Sequence, residues 1–202
     1  MKLDWVEREL IEESFDDADL SETEFARCHF SRCRFTGARL TEVRAVACRF
    51  DACDFSHTKL NASAFTDSSF SNSTFKGANL FLARFENCRL MGATFTQAEL
   101  GGLTIEGGDW SWVNLRLQQL EEISLFGLKL VGADFYGADL TKADLRDADL
   151  TGANLDQAKV TGADFRGAIL TKVNLRNLDL TGVRMDISQT ILLANCYGVK
   201  VG

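Results

Sequence analysis

No proline occurs anywhere in the 202-residue chain. That absence removes proline-rich linkers and polyproline ligands, and with them the usual chemical mark of a domain junction. Histidine is nearly absent too: His29 and His57 are the only two. A base–nucleophile pair or a histidine-rich metal centre has almost nothing to draw on. Long apolar runs are also missing. The late stretch ILLANCYGVKV falls well short of the ~20 residues of a membrane span. The opening MKLDWVERELIEESF is acidic and lacks the apolar core of a secretory signal. Positive charge is in deficit, with 22 Lys+Arg against 29 Asp+Glu and a formal net charge of −7. Such a chain is poorly equipped to grip a phosphate backbone. The expectation is a soluble, cytoplasmic protein with no membrane contact, no direct nucleic-acid binding and no cofactor.

What the chain does have is a period of five. In GADFYGADLTKADLRDADLTGANL, Phe135, Leu140, Leu145, Leu150 and Leu155 recur every fifth residue. Ala133, Ala138, Ala143, Ala148 and Ala153 sit two places earlier. A helix would repeat near 3.6 and a strand at 2. The spacing runs without slippage from Leu10 to Met185, and 31 of its 36 centres are Leu or Phe. The exceptions are Ala45, Ile105, Trp110, Val160 and Met185. Unbroken self-similarity of this length signals a solenoid.

Parity supplies the geometry. A centre and the small residue two places before it share one side of an extended segment. The next small residue, three places on, faces inward only if the chain turns between them. Each unit is therefore a short extended piece plus a corner. Sorting the centres by twenties gives Leu20, Leu40, Leu60, Leu80, Leu100, Leu120, Leu140, Val160 and Leu180 in one column, with no Phe. A neighbouring column begins Phe15, Phe35, Phe55, Phe75, Phe95. Such segregation fits four faces per turn and about nine coils, a rod roughly 43 Å long at ~4.8 Å per coil. The units ADF, ADL, ANL, AIL and CRF resemble the pentapeptide-repeat family. That resemblance implies an all-β, right-handed quadrilateral β-helix, here over residues 1–187, with a C-terminal helix and dimerisation tail over 188–202.

Cys28, His29, Cys33, Cys48, Cys53 and His57 tempt a zinc assignment. Yet these cysteines, and Cys88, all occupy the small inward position, whereas both histidines are outward. They cannot converge in the tetrahedron that zinc requires. Small buried hydrophobes are expected instead, and a cytosolic chain keeps Cys28 and Cys48 reduced. GGLTIEGG lacks the Lys-Ser/Thr of a phosphate loop. Asp134, Asp139, Asp144, Asp149 and Asp164 each precede a centre and are expected to face water. No enzyme is expected, and no catalytic or metal residue is assigned.

Between Gly101 and Leu130 the small position holds Leu103, Gly108, Val113, Gln118, Ile123 and Leu128. The rod should be wider or irregular there. Phe81, Leu82, Trp112, Phe126 and Tyr136 lie at outward positions nearby. They are either scattered surface residues or a mid-rod contact.

After Met185 the repeat stops. Ser188 is placed to cap a short helix, Gly198 to end it, and Val199-Lys200-Val201 to form a small strand. An open coil end must be covered, within one chain or by a second. LDLTGVRMDISQTILLANCYGVKVG is similar to the ends of the topoisomerase-protecting pentapeptide proteins of the Qnr and mycobacterial MfpA types. The unbroken register resembles the loop-free MfpA type. That resemblance implies a homodimer through Ile191, Leu192, Leu193, Tyr197, Val199 and Val201. It also implies binding to DNA gyrase by imitation of DNA.

Charge tests the imitation. The Leu20 column carries Asp19, Glu22, Glu42, Glu99, Glu121, Glu122, Asp139 and Asp179 against four bases. Its neighbours carry less, and the Leu10 column, with Arg49, Arg89 and Lys172, is slightly basic. One face is therefore expected to bind the partner. Residues 1–25 hold ten acids and residues 26–50 six arginines, which suggests either a solubilising end or an acidic tip. Two alternatives stand beside gyrase binding: a structural rod with an unrelated partner, and an immunity protein of an antibiotic biosynthesis cluster. The cysteine placement makes a direct prediction. Purified protein, never exposed to chelator, should carry no stoichiometric zinc by elemental analysis; one zinc per chain would refute the inward assignment.

Overall fold

The computed structural model describes residues 4–200. Val201 therefore lies outside the described residues. Nine three-residue strands form in chain order: β1 Asp4–Val6, β2 Glu9–Ile11, β3 Glu24–Ala26, β4 His29–Ser31, β5 Arg44–Val46, β6 Arg49–Asp51, β7 Ala64–Thr66, β8 Arg84–Glu86 and β9 Thr104–Glu106. They build two parallel sheets, ordered β1-β3-β5-β7-β8-β9 and β2-β4-β6. Each strand except β9 pairs with residues 20 further on, as in Trp5↔Phe25 and Phe30↔Phe50. Isolated bridges carry the same 20-residue register to Asp164↔Arg184. The chain is a right-handed quadrilateral β-helix, the periodic residues lining its core.

The corners explain the period. At nearly every corner the second residue has φ near +60°, whether glycine (Gly37, Gly132) or not (Glu42, Ala62, Trp112). A left-handed residue costs a non-glycine about 1–2 kcal/mol, repeated because the coil cannot close without it. The Asp and Asn before each centre offset part of that cost. Asp109, Asp139, Asp144, Asp149 and Asp164 accept the backbone N–H two residues on, at 3.0 to 3.2 Å. They serve the turn as Asx acceptors, which corrects their assignment as purely water-facing side chains. Asp139 is buried.

Stacking fills the interior. Phe30–Phe50, Phe50–Phe70, Phe35–Phe55 and Phe75–Phe95 lie 4.8 Å apart between ring centroids, nearly parallel. Trp110, from the neighbouring column, stacks on Phe95 at 5.8 Å. The small inward position has a second use that residue size does not announce. Thr58, Ser73 and Gln118 donate side-chain hydrogen bonds to the carbonyls of Phe35, Phe50 and Phe95, each 23 residues back, at 2.7 to 2.8 Å. Cys28, Cys33, Cys53 and Cys88 make the weaker sulfur equivalent to Trp5, Leu10, Phe30 and Phe65. All six cysteines are free. Burial pushes the Cys53 and Cys88 thiols up to about 12, which keeps them protonated donors.

The ends are closed differently. Arg8 lies over the Trp5 ring at 4.8 Å. At the other end α1 spans Ile187–Cys196, capped by Asp186 rather than Ser188. The Asp186 N–H donates to Gln189 Oε1 (2.8 Å), half of a capping box. Gln189 Nε2, buried, donates to the Phe165 and Ala168 carbonyls at the mouth of the core. Gly198 ends the helix in a left-handed conformation, with Gly198 N–H to Asn195 O and Val199 N–H to Ala194 O, a Schellman closure. Val199 and Lys200 form no strand.

One glycine is held by space as well as by φ. A Cβ on Gly108 (φ +99°) would stand 2.0 Å from the Cys88 carbonyl oxygen, whereas Gly127 and Gly152 face nothing within 4 Å. In urea unfolding, Gly108→Ala should cost at least about 3 kcal/mol. Gly127→Ala and Gly152→Ala should each cost about 1–2 kcal/mol. Equal costs at the three sites would show that conformation alone decides.

Candidate protein-binding surfaces

The expected acidic face is divided by the fold. Glu22 and Glu42 stand exposed on one corner in successive coils. With Asp19, Ser21, Arg39, Thr41 and Lys59 they line a shallow groove of about 540 Å³. The next corners along the same edge are Asn61-Ala62, Phe81-Leu82 and Gly101-Gly102, which are uncharged, before Glu121-Glu122. The Phe81 and Leu82 side chains lie against Gly101 and Gly102. Trp112 and Leu117 cover Gly132 and Gly137 in the same way. An outward apolar residue over a glycine one coil later is thus partly a packing device. Phe126 and Tyr136 instead lie under Arg146 and Arg116, at 5.4 and 4.1 Å from the rings.

Several of the assigned acids are occupied. Asp19 accepts from Ser21 and lies 3.9 Å from Arg39. Asp179 accepts from Thr181. Asp139, its side chain 5% exposed, accepts from Thr141 and pairs with Lys159 at 2.9 Å. Glu122 pairs with Lys142 at 2.8 Å, and Glu99 accepts from Asn79. Glu22, Glu42 and Glu121 have no side-chain partner among the described residues. The acidic N-terminal segment is likewise matched across one coil. Arg27, Arg32 and Arg34 pair with Glu7, Glu12 and Asp16 at 2.8 to 3.0 Å. Acids at residues 1–25 and arginines at 26–50 are two rungs of one ladder. The compensation is partial, with Glu7, Glu12, Asp16 and Asp19 matched to arginines.

The C-terminal end carries an uncovered apolar patch. Ile191, Leu192, Tyr197 and Val199 are exposed, as expected of a contact surface. Leu193 turns inward and packs against the core. Ile187, 83% exposed, belongs to the patch and was missed. Its signal was present in Asp186-Ile187-Ser188-Gln189, a capping-box spacing that starts the helix at Ile187. Arg176 fastens this end by donating to the Cys196 carbonyl, while the Tyr197 hydroxyl donates to the Arg176 carbonyl at 2.8 Å. Nothing in the rod resembles a metal centre: no group of three or more potential ligands converges among the described residues. No helix among the described residues is long and apolar enough to cross a membrane.

Two family models match the chain: "pentapeptide repeat region" over residues 10–80 and 48–125, and "pentapeptide repeats (8 copies)" over 119–157 and 148–186. The chain belongs to the pentapeptide-repeat family. Among solved structures, a trypsin-treated variant of QnrB1, a plasmid-mediated fluoroquinolone resistance protein, matches with TM-score 0.87 and 24% identity. The match covers 98% of this chain and 100% of that one. Full-length QnrB1 matches at TM-score 0.62, again with 24% identity, over 98% and 100% of the two chains. HetL, a pentapeptide-repeat protein from the cyanobacterium Nostoc sp. strain PCC 7120, is 26% identical over 91% and 89%, at TM-score 0.46. Comparison with curated protein sequences finds no match.

The buried carboxylates set an acid limit. The Thr141 side chain and then Lys159 hold Asp139 down at about 2, against burial, which would raise it. The Arg166 guanidinium holds Asp164 at about 2. Both lie below the ordinary 3.8. The stabilisation they supply is therefore complete above about pH 4 and lost as pH falls toward 2. The melting temperature should decline across that window. Asp139→Asn with Asp164→Asn, which keeps the turn acceptors and removes the charges, should flatten the decline. An unchanged slope would assign acid sensitivity to other groups.

Proposed function

We propose that this protein is a dimeric, DNA-mimicking rod that binds DNA gyrase or a related type II topoisomerase. Bound there, it modulates the enzyme or shields it from quinolones and other gyrase poisons. The observation that carries the reading is the uncovered apolar end formed by Ile187, Ile191, Leu192, Tyr197 and Val199. Joining two such ends would make a continuous acidic rod of about 85 Å, at ~4.8 Å per coil. Its negative charge suits a groove built for duplex DNA. The end-to-end likeness to QnrB1, a fluoroquinolone resistance protein, supports the reading at the level of fold.

The acids that fit a phosphate-like role are those that stand exposed and accept no turn hydrogen bond: Glu22, Glu42, Glu99, Glu121 and Glu122. Asp19, Asp139 and Asp179 hold turns, and their part is to keep the corners in place. The domain assignment proposed here gives the rod to residues 1–187 and the dimer contact to 188–202, with Ile187 shared by both. The protein would act in the cytoplasm, where gyrase works. A structural rod with another partner is favoured by one feature, the exposed Trp112, Leu117 and Phe126 around mid-rod.

Light scattering should give twice the chain mass. Ile191→Asp with Leu192→Asp should give a folded monomer, since two carboxylates in an apolar contact cost several kcal/mol. Purified gyrase should lose supercoiling activity, or resist quinolone, when the original protein is added. Replacing Glu22, Glu42, Glu99 and Glu121 by Gln should weaken binding about tenfold or more, and raised salt should do the same. Neutralising Arg49, Arg89 and Lys172 should not. Equal losses from both sets would reject mimicry, and a monomeric original protein would reject the dimer.

A further inference from the structure

The backbone ladder that holds coil to coil is open in the middle of the rod. In the flanking coils, centre and corner amides donate to the next coil: Leu80 to Glu99, Leu82 to Gly101, Leu120 to Asp139 and Glu122 to Thr141, at 2.8 to 2.9 Å. Among the described residues, Gln97, Leu100, Gly102 and Ile105 make no such bond to Arg116, Gln119, Glu121 and Ser124. The returning bonds from Gln119 and Ser124 to Ala98 and Leu103 are missing as well. No bridge joins 99 to 119 or 104 to 124. The other two faces of the same coils remain closed, through Leu90 to Asp109 (2.8 Å), Phe95 to Asn114 (3.0 Å) and Asn114 to Ala93 (2.8 Å).

Bulky inward residues cause the opening. Gln118 stands between Ala98 and Ala138 in its column, and its amide reaches in to the Phe95 carbonyl. Leu103 and Ile123 are stacked one coil apart in a column where Ala83 and Ala143 flank them. Two branched side chains overfill a spacing of ~4.8 Å, so the coils part. A cleft of about 330 Å³ results, walled by residues 100–103 on one side and 119–124 on the other. Its volume suits about ten waters at ~30 Å³ each, enough to solvate the unpaired amides and carbonyls.

We propose that this seam is a hinge. The faces of Trp110 and Leu115 act as its closed edge, and the faces of Leu100 and Ile105 open and shut. The two halves of the rod then pivot about the ladder that joins Leu90 to Asp109 and Phe95 to Asn114. Such a joint lets a partner select the curvature of the rod. It depends on packing alone and stands whether or not the partner is gyrase.

Hydrogen exchange on the full-length protein tests the opening. The amides of Leu100, Gly102, Ile105, Gln119 and Ser124 should exchange about 100-fold or more faster than those of Leu80, Leu82 and Leu140. Leu103→Ala, Gln118→Ala and Ile123→Ala together should bring them to the flanking rate; if that variant does not fold, Ile123→Ala alone should slow Ser124. Pivoting is read separately, from spin labels at Asp67 and Asp147, which lie on one edge across the seam. A broad distance distribution, narrowed by the alanine variant, is expected. Equal protection in the original protein overturns the seam, and fast amides with a narrow distribution overturn the hinge.

Discussion

Everything in this rod hangs on one recurring bond, a backbone amide donating to the carbonyl of the residue 19 places later in the next coil. It fixes the coil at 20 residues and places each side chain directly over its equivalent. Phenylalanine then falls on phenylalanine at 4.8 Å, close enough for offset stacking to add to burial. The same spacing limits the small inward position, because whatever stands there must share one coil's thickness with its neighbour. Alanine fits without strain. Serine, threonine and cysteine fit too, and Thr58, Ser73 and Cys53 each gain a carbonyl one coil back.

The register governs the surface as strictly as the core. Arg27 over Glu7, Arg32 over Glu12, Lys142 over Glu122 and Lys159 over Asp139 are all 20 residues apart. Charge that looks segregated along the chain is therefore paired along the rod axis. Exposed pairs of this kind add little stability, commonly under 1 kcal/mol, but they cancel much of the field an acidic segment would project. Among the acids left without an ion pair are Glu22, Glu42 and Glu121 on one edge, separated by the neutral corners around Phe81 and Gly101.

Sequence and structure agree most closely where the repeat is regular. Period, parity and column composition specify four faces and the inward set from Leu20 to Leu175, because only one coil satisfies all three. The bulky run from Leu103 to Leu128 also announced an irregularity. Where it opened could not be told from residue size alone, since Val43 and Val113 are accommodated with the ladder intact. The roles of the Asp column were misjudged for a definite reason. Parity puts a side chain outside the core, but it does not say whether the carboxylate turns back to its own backbone, as Asp139 and Asp164 do. At the C-terminal end the helix and its glycine stop were legible, whereas Leu193's inward turn goes with a helix that begins two residues earlier than a Ser188 cap would set it.

A repeat with perfect columns has no intrinsic end and no preferred place to bend. Both properties must come from residues that break the columns, and here they break them in the same way. Val173 and Leu178 replace alanine in the last coil, and the bridges from 154 to 174 and from 159 to 179 are absent among the described residues. Beyond this loosened coil the register is abandoned. Asp186 then accepts from the Gly167 amide and Gln189 closes the core mouth, so a helix takes over the hydrogen bonds that another coil would have made. Overfilling one inward column yields a seam when consensus alanines resume beyond it, and a terminus when a capping helix follows. The same steric excess thus separates the regular rod from both of the places where this chain departs from it.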